Sequence, residues 1–183
     1  KAREVGLTIN FFHPIYCITI IAFYIFPFLF MKNLKIVKSI KNNAKIIISL
    51  LILSLSYFFI IFYFYDFETL PLDGKGVFFK LYFLIFENID VQIYLTLITF
   101  LSSVVIIFLF FEHSTDFLII FYFIIFSLFT FPFYQEYLDP LLFILFFTFI
   151  KTDFYFDKKR IYFLVSYFFI FLIGSKIYYN SIL

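Results

Sequence analysis

The sequence lacks tryptophan and has little alanine, glycine, cysteine or charge. Its 183 residues include one Cys and four Gly, and 14% of them are charged whereas 64% are hydrophobic. A typical soluble chain is about a quarter charged, and a domain of this size cannot bury so large a share of apolar side chains. The scarcity of charge therefore argues against a soluble fold and predicts an integral membrane protein. The lone Cys17 also excludes an internal disulfide.

Phenylalanine and tyrosine are in excess, with 36 and 15 residues. Together with frequent Ile, Lys and Asn, this composition is typical of an AT-rich genome, so the aromatic excess does not indicate a ligand. The formal net charge of +2 is too small to predict a nucleic-acid partner. The partner that the composition predicts is the lipid bilayer.

Apolar runs of membrane-spanning length recur along the chain. A helix needs about 20 mostly apolar residues to cross the hydrocarbon core. Three runs have this length and a fourth is slightly shorter: residues 11–31, 46–65, 91–111 and 161–177. The run 117–150 is too long for one helix and is interrupted near its middle by Pro132 and Pro140, which disfavour helix. The sequence therefore predicts an all-α, polytopic transmembrane bundle of about six spans.

The chain shows no internal repeat and no linker rich in Ser, Pro or Gly, so residues 1–183 are expected to form a single multi-pass membrane domain. It begins at Lys1 and does not show the basic segment, apolar segment and small-residue cleavage site of a signal peptide in that order. We therefore expect the C-terminal fragment of a longer chain. The longest predicted connection, residues 66–90, contains a mixed run at 77–87 that favours a short interfacial or re-entrant helix.

Basic residues are concentrated in two predicted loops. Residues 32–45 contain five Lys and no acid, and residues 151–160 contain four basic residues. Because Lys and Arg keep loops in the cytoplasm, both loops are predicted there, with nine of the fourteen basic residues inside. Both ends of the chain then lie on the outer side of a bacterial inner membrane or of an organellar or ER membrane. The five lysines could also meet anionic headgroups or a pyrophosphate, but an orientation role is the favoured interpretation.

Acidic residues lie mainly in the predicted outer loops. Carboxylates at a membrane surface can hold a divalent metal or a polar substrate, although outer loops also become acidic once basic residues are kept inside. The residues concerned are Asp66, Glu68, Asp73, Glu87, Asp90, Glu136 and Asp139. A divalent metal is the cofactor that this distribution allows.

The segment 134–140, with the sequence YQEYLDP, is the most polar interruption of an apolar region. Ionisable residues between apolar helices are costly unless they face protein or water, so this segment is either a functional site or a turn that ends a helix. Candidate substrate-binding residues are Tyr134, Gln135, Glu136 and Asp139. His13, which precedes Pro14 at the start of the first span, is a further candidate for contact with a substrate or phosphate on the outer face.

Residues 132–142, with apolar runs on both sides, resemble the late transmembrane region of GT-C type glycosyltransferases. Tyr137, Leu138 and Pro140 match the family's Arg-Tyr-Leu-x-Pro-like step, with Glu136 in place of the Arg. His13 is similar to polar residues at outer helix ends in these enzymes. The resemblance implies transfer from a lipid-linked sugar, a polyprenyl phosphate derivative, on the non-cytoplasmic face. It also implies that the catalytic acid lies upstream of this sequence.

Two other functions remain open at this stage. The first is a non-catalytic structural subunit of a membrane complex. The second is a transporter, which is disfavoured because the centres of the second, third and sixth predicted spans contain no ionisable residue for a relay or a binding site.

Overall fold

The computed structural model describes residues 9–32, 36–64, 76–111, 113–129, 154–155 and 157–182. These residues form seven α-helices and no strand, which confirms the all-α prediction for this part of the chain. The helices are α1 (His13–Leu29), α2 (Ile36–Asn42), α3 (Ala44–Phe64), α4 (Gly76–Ile85), α5 (Ile89–Phe110), α6 (Ser114–Phe129) and α7 (Lys158–Ile182). The span predicted in the second half of residues 117–150 lies outside the described residues.

Five of these helices, α1, α3, α5, α6 and α7, occupy apolar runs that the sequence marks as spans, with ends shifted by a few residues. The helix α2 lies in the basic loop, where no helix was predicted. Its apolar residues Ile36, Val37 and Ile40 recur at helical spacing, which explains a short amphipathic helix there. The helix α4 falls in the mixed run 77–87 and packs against α1 and α5.

Two helices, α3 and α5, are long and apolar enough to cross a membrane, each with a mean hydropathy of 2.5. Only 17% of the most apolar stretch of α3 and 33% of that of α5 are buried within the structure. Leu53 and Tyr63, for example, are 68% and 85% exposed. A core helix of a soluble protein would bury most of such a surface, whereas a lipid-facing helix leaves it exposed.

The helix α1 lies at the centre of the described structure and is buried on all sides. The helices α4, α5, α6 and α7 pack against it. A helix that is apolar around its whole circumference is expected in such a position. Edge-to-face ring pairs join it to two neighbours: Phe23 lies 5.7 Å from Phe78 of α4 and 4.9 Å from Phe171 of α7.

A proline inside α1 is compensated by a side chain of α7. Pro27 has no backbone N–H, so the carbonyl of Phe23 lacks the donor that an unbroken helix would supply. The hydroxyl of Tyr167 donates to this carbonyl oxygen at 3.1 Å. Because an unpaired backbone group is costly in an apolar environment, Tyr167 makes this proline tolerable and fixes α7 against α1.

The packed helices have two ends, which we call the His13 end and the Lys32 end after the residues at the start of α1 and just beyond its end. At the His13 end, the N–H of Asn10 donates to the carbonyl of Leu128 near the C-terminus of α6. At the Lys32 end, the N–H of Tyr155, just before α7, donates to the carbonyl of Met31. The helix α1 therefore runs antiparallel to α6 and α7.

The helix α4 begins with a glycine that touches α1. Gly76 has a φ of +73°, and an added Cβ would lie 3.0 Å from Cγ1 and 3.1 Å from Cδ1 of Ile20. Both the left-handed backbone and the close approach therefore favour glycine at this position.

We expect Gly76→Ala to lower the free energy of unfolding by about 1–2 kcal/mol, the approximate cost of a left-handed conformation for a residue with a Cβ. Gly174, on α7, is the matched control, because nothing lies within 4 Å of its added Cβ. Gly174→Ala should be neutral or stabilising by up to about 1 kcal/mol, since alanine favours helix. Thermal unfolding of both purified variants in detergent measures the difference, and equal stabilities would contradict this account of Gly76.

Candidate functional site

His13 is the one predicted substrate-binding residue that lies within the described part of the chain. It is the first residue of α1, is followed by Pro14, and is only 5% exposed. Its Nδ1 donates to the carbonyl oxygen of Ser127 on α6 at 3.0 Å. Because the last carbonyls of a helix lack donors within that helix, His13 supplies a hydrogen bond that α6 needs at its C-terminal end.

The segment before α1 is held to both α3 and α6. The side-chain oxygen of Asn10 accepts from the N–H of Phe12 at 2.9 Å, a local turn that leads the chain into the helix. The hydroxyl of Tyr57, on α3, donates to the carbonyl of Phe11 at 2.9 Å. The His13 end is therefore an ordered junction of three helices, in which each of these polar contacts satisfies a backbone group.

The other four candidate residues, Tyr134, Gln135, Glu136 and Asp139, lie outside the described residues. In the sequence they follow α6, whose last residue is Phe129. His13 contacts this same C-terminal part of α6 through Ser127. The structure thus locates His13 beside the helix end from which the sequence continues into the polar segment.

Two of the acidic residues assigned to the outer loops are described. Glu87 and Asp90 are exposed, in and just after the turn that joins α4 to α5. Asn88 caps α5, since its side chain accepts from the N–H of Asp90 at 2.8 Å, and Asp90 lies in the first turn, where a negative charge is favourable. Within the described residues, no group of three or more His, Cys, Asp or Glu could hold a metal ion.

Buried hydroxyls in α5 and α6 are satisfied within their own helices. Thr96 donates to the carbonyl of Gln92 at 2.8 Å, and Ser103 donates to that of Thr99 at 2.7 Å. Ser127 donates to the carbonyl of Ile124 at 2.6 Å. Such bonds to the preceding turn satisfy a hydroxyl that lies in an apolar interior. These hydrogen bonds give the three hydroxyls a structural role.

Tyr16 is a polar residue that the sequence reasoning did not select. Its side chain is buried, and its hydroxyl has no hydrogen-bond partner among the described residues. The ring makes an edge-to-face contact with Phe79 of α4, at 5.6 Å between centroids. A buried hydroxyl without a partner costs about 1–3 kcal/mol. Its spacing of three residues from His13, which puts both on one helix face, is the signal that could have drawn attention to it.

At the opposite end, Lys32 is buried against α5. It is 8% exposed, its Nζ donates to the carbonyl of Phe110, and the ammonium lies 4.6 Å from the centroid of the Phe110 ring. Arg160 of α7 donates in a similar way to the carbonyl of Met31 at 3.1 Å. Lys32 therefore complements the partial negative charge at the C-terminus of α5, whereas Arg160 binds a carbonyl just beyond the end of α1. The sequence had favoured an orientation role for Lys32 and left contact with anionic headgroups or a pyrophosphate open.

No protein family, no curated protein and no solved structure matches the chain. Its class therefore follows from its own architecture. It is an α-helical protein, in the part described, with two helices that are long and apolar enough to cross a membrane.

Proposed function

We propose that residues 1–183 form a multi-pass integral membrane domain. The exposed apolar surfaces of α3 and α5 support this proposal, because water would disfavour them and lipid would not. The antiparallel arrangement of α1 with α6 and α7 gives further support, since it is the alternation expected of a chain that crosses a bilayer repeatedly. The Lys32 end faces the cytoplasm in this proposal, and the His13 end faces the outside.

Labelling of single cysteines in sealed vesicles tests this topology. In a Cys17→Ala background, we expect Ser39→Cys and His113→Cys to react with an impermeant maleimide from the cytoplasmic side, and Glu87→Cys from the outside. His113 is decisive, because its turn contains no basic residue, and the contact of Phe110 with Lys32 and the antiparallel packing of α6 on α1 assign it to the Lys32 end. Reaction of His113→Cys and Glu87→Cys from the same side would contradict the proposed topology.

For its activity we propose a GT-C-like glycosyltransferase that uses a lipid-linked sugar donor on the non-cytoplasmic face. One observation supports a site at the His13 end: His13 contacts Ser127 near the end of α6, the last described helix before the segment 134–139 in the sequence. In this proposal His13, Tyr134, Gln135, Glu136 and Asp139 bind the donor or the acceptor. An imidazole, two carboxylates, an amide and a phenol suit the hydroxyl groups of a sugar and a phosphate.

Tyr16 would add a phenol one helical turn from His13, where α1 meets α4. Its unpartnered hydroxyl can donate to or accept from a polar ligand atom, whereas the Phe79 ring that it contacts suits a prenyl chain. A ligand with a polar head and a long apolar tail needs this combination of groups.

Photo-crosslinking tests donor binding without requiring turnover. A photoreactive polyprenyl-phosphate hexose should label the chain in membranes, and an excess of the unmodified donor should suppress the labelling. The matching polyprenol, which lacks the phosphate and sugar, should compete at least about tenfold more weakly if polar contacts provide even 1.4 kcal/mol of the binding free energy. Equal competition by donor and polyprenol would contradict a sugar-phosphate site.

A non-catalytic subunit of a membrane complex is the second candidate. The observation that favours it is that the buried hydroxyls of Thr96 and Ser103 donate to carbonyls of their own helix, a role that is structural and not chemical. Absence of donor-specific labelling, together with stable co-purification in a defined complex, would favour this function over the enzyme.

A further inference from the structure

Four exposed lysines surround the Lys32 end. Lys41 lies in α2, Lys45 in the first turn of α3, and Lys158 and Lys159 in the first turn of α7. The helix α2 packs against α3 and α5, and the contact of Arg160 with the carbonyl of Met31 holds the start of α7 to the end of α1. Chain segments that are distant in sequence thus bring their charges to one end of the structure.

Exposed apolar side chains follow these lysines directly. After Lys45, Ile46 and Ile48 are 52% and 55% exposed. After Lys159, Ile161 and Tyr162 are 41% and 71% exposed. A lysine beside such a surface can lay its aliphatic stem along apolar groups and hold its ammonium at the level of lipid headgroups. The protein surface thus changes from charged to apolar over a few residues, as a phospholipid changes from its headgroup to its acyl chains.

Few carboxylates in the described part of the chain are available to neutralise these lysines. Among the described residues at this end, Asp157 is exposed, and Asp116 is only 4% exposed. Lys32 and Arg160 already bind main-chain carbonyls, so they have a structural explanation. Contacts with main-chain carbonyls do not explain the four exposed lysines in this way. Their positive charge is complementary to an anionic surface.

We propose that the Lys32 end binds anionic phospholipids. Lys41, Lys45, Lys158 and Lys159 pair with headgroup phosphates, and the adjoining apolar faces of α3 and α7 contact the acyl chains. This inference rests on the membrane placement proposed above and goes beyond it, because orientation alone requires no preference among lipids. A basic residue near an anionic membrane surface contributes about a fivefold change in association.

Electron spin resonance of spin-labelled lipids tests the proposal. The chain is reconstituted in phosphatidylcholine vesicles, and the motionally restricted fraction is compared for labelled phosphatidylglycerol and labelled phosphatidylcholine. We expect a preference for phosphatidylglycerol, which falls roughly threefold or more when Lys41, Lys45, Lys158 and Lys159 are all replaced by Gln. Lys176→Gln, at an exposed lysine near the other end of α7, is the control and should leave most of the preference intact.

The two labels separate the two proposals. A restricted phosphatidylcholine signal reports contact with the bilayer, and its absence would overturn the membrane placement itself. A restricted signal with equal association of both lipids would overturn only the anionic-lipid proposal. If the fourfold variant does not insert into the membrane, the salt dependence of the wild-type chain still tests the anionic-lipid proposal. About 0.5 M salt should reduce its preference by screening, and a preference that salt leaves unchanged would contradict lysine–phosphate pairing.

Discussion

Replacing Glu136 by Gln is expected to lower the rate of sugar transfer roughly tenfold, equivalent to about 1.4 kcal/mol of transition-state stabilisation. Glutamine keeps the size and shape of glutamate and removes its negative charge. If Glu136 binds a sugar hydroxyl or positions an acceptor, the loss of a charged hydrogen-bond acceptor weakens that contact. The measurement is the initial rate of transfer from a labelled polyprenyl-phosphate hexose in membranes, normalised to the amount of protein.

Glu87→Gln is the control for this experiment, because Glu87 is an exposed carboxylate in the turn between α4 and α5. It makes the same chemical change and should leave transfer within about a factor of two, since exposed substitutions rarely have large effects. Normal transfer by the Glu136 variant, or its failure to accumulate in the membrane, would assign this residue a structural role. The main local support for the glycosyltransferase proposal would then be lost.

The positions of the long helices could be predicted from the sequence. A continuous apolar run of about 20 residues has few alternatives in an apolar environment, where each backbone group needs a partner within its own segment. The predicted runs 46–65 and 91–111 accordingly correspond to Ala44–Phe64 and Ile89–Phe110. The helix α2 was missed because five lysines in a short segment indicate a loop when only charge is considered.

The contacts between helices could not be predicted in this way. The partner of His13 is the carbonyl of Ser127, 114 residues away in the sequence, and the partner of Tyr167 is the carbonyl of Phe23, 144 residues away. Each acceptor is a main-chain group that any residue type would present. Only the packing of the helices determines which side chain reaches it, so the sequence identifies the donor and leaves the acceptor open.

In the candidate site, too, local sequence predicted some features and helix packing determined the others. His13 could be selected as a polar residue at a helix start, because local sequence determines both properties. Its proximity to the end of α6 depends on the packing of α1 against α6. Tyr16 was not selected, because a tyrosine in an aromatic-rich helix is usually a packing residue. Its lack of a hydrogen-bond partner becomes apparent only from the surrounding side chains.

Lys32→Met is expected to lower the free energy of unfolding by about 2–3 kcal/mol. A hydrogen bond to a charged group contributes about 1.5–3 kcal/mol, and a cation over an aromatic ring adds about 0.5–2 kcal/mol, with partial overlap between the two. Methionine retains the unbranched apolar stem but cannot donate to the carbonyl of Phe110. The substitution therefore removes the cation from the C-terminus of α5 and leaves the apolar packing largely intact.

Lys41→Met is the matched control, because Lys41 is exposed on α2 and makes the same change of side chain. It should alter stability by less than about 0.5 kcal/mol. Unfolding of both purified variants in detergent, followed by loss of helical circular dichroism, measures the difference. In detergent the protein is already folded, so an orientation role during insertion no longer contributes. If Lys32→Met and Lys41→Met are equally stable there, Lys32 acts through orientation alone and its contact with Phe110 does not stabilise the bundle.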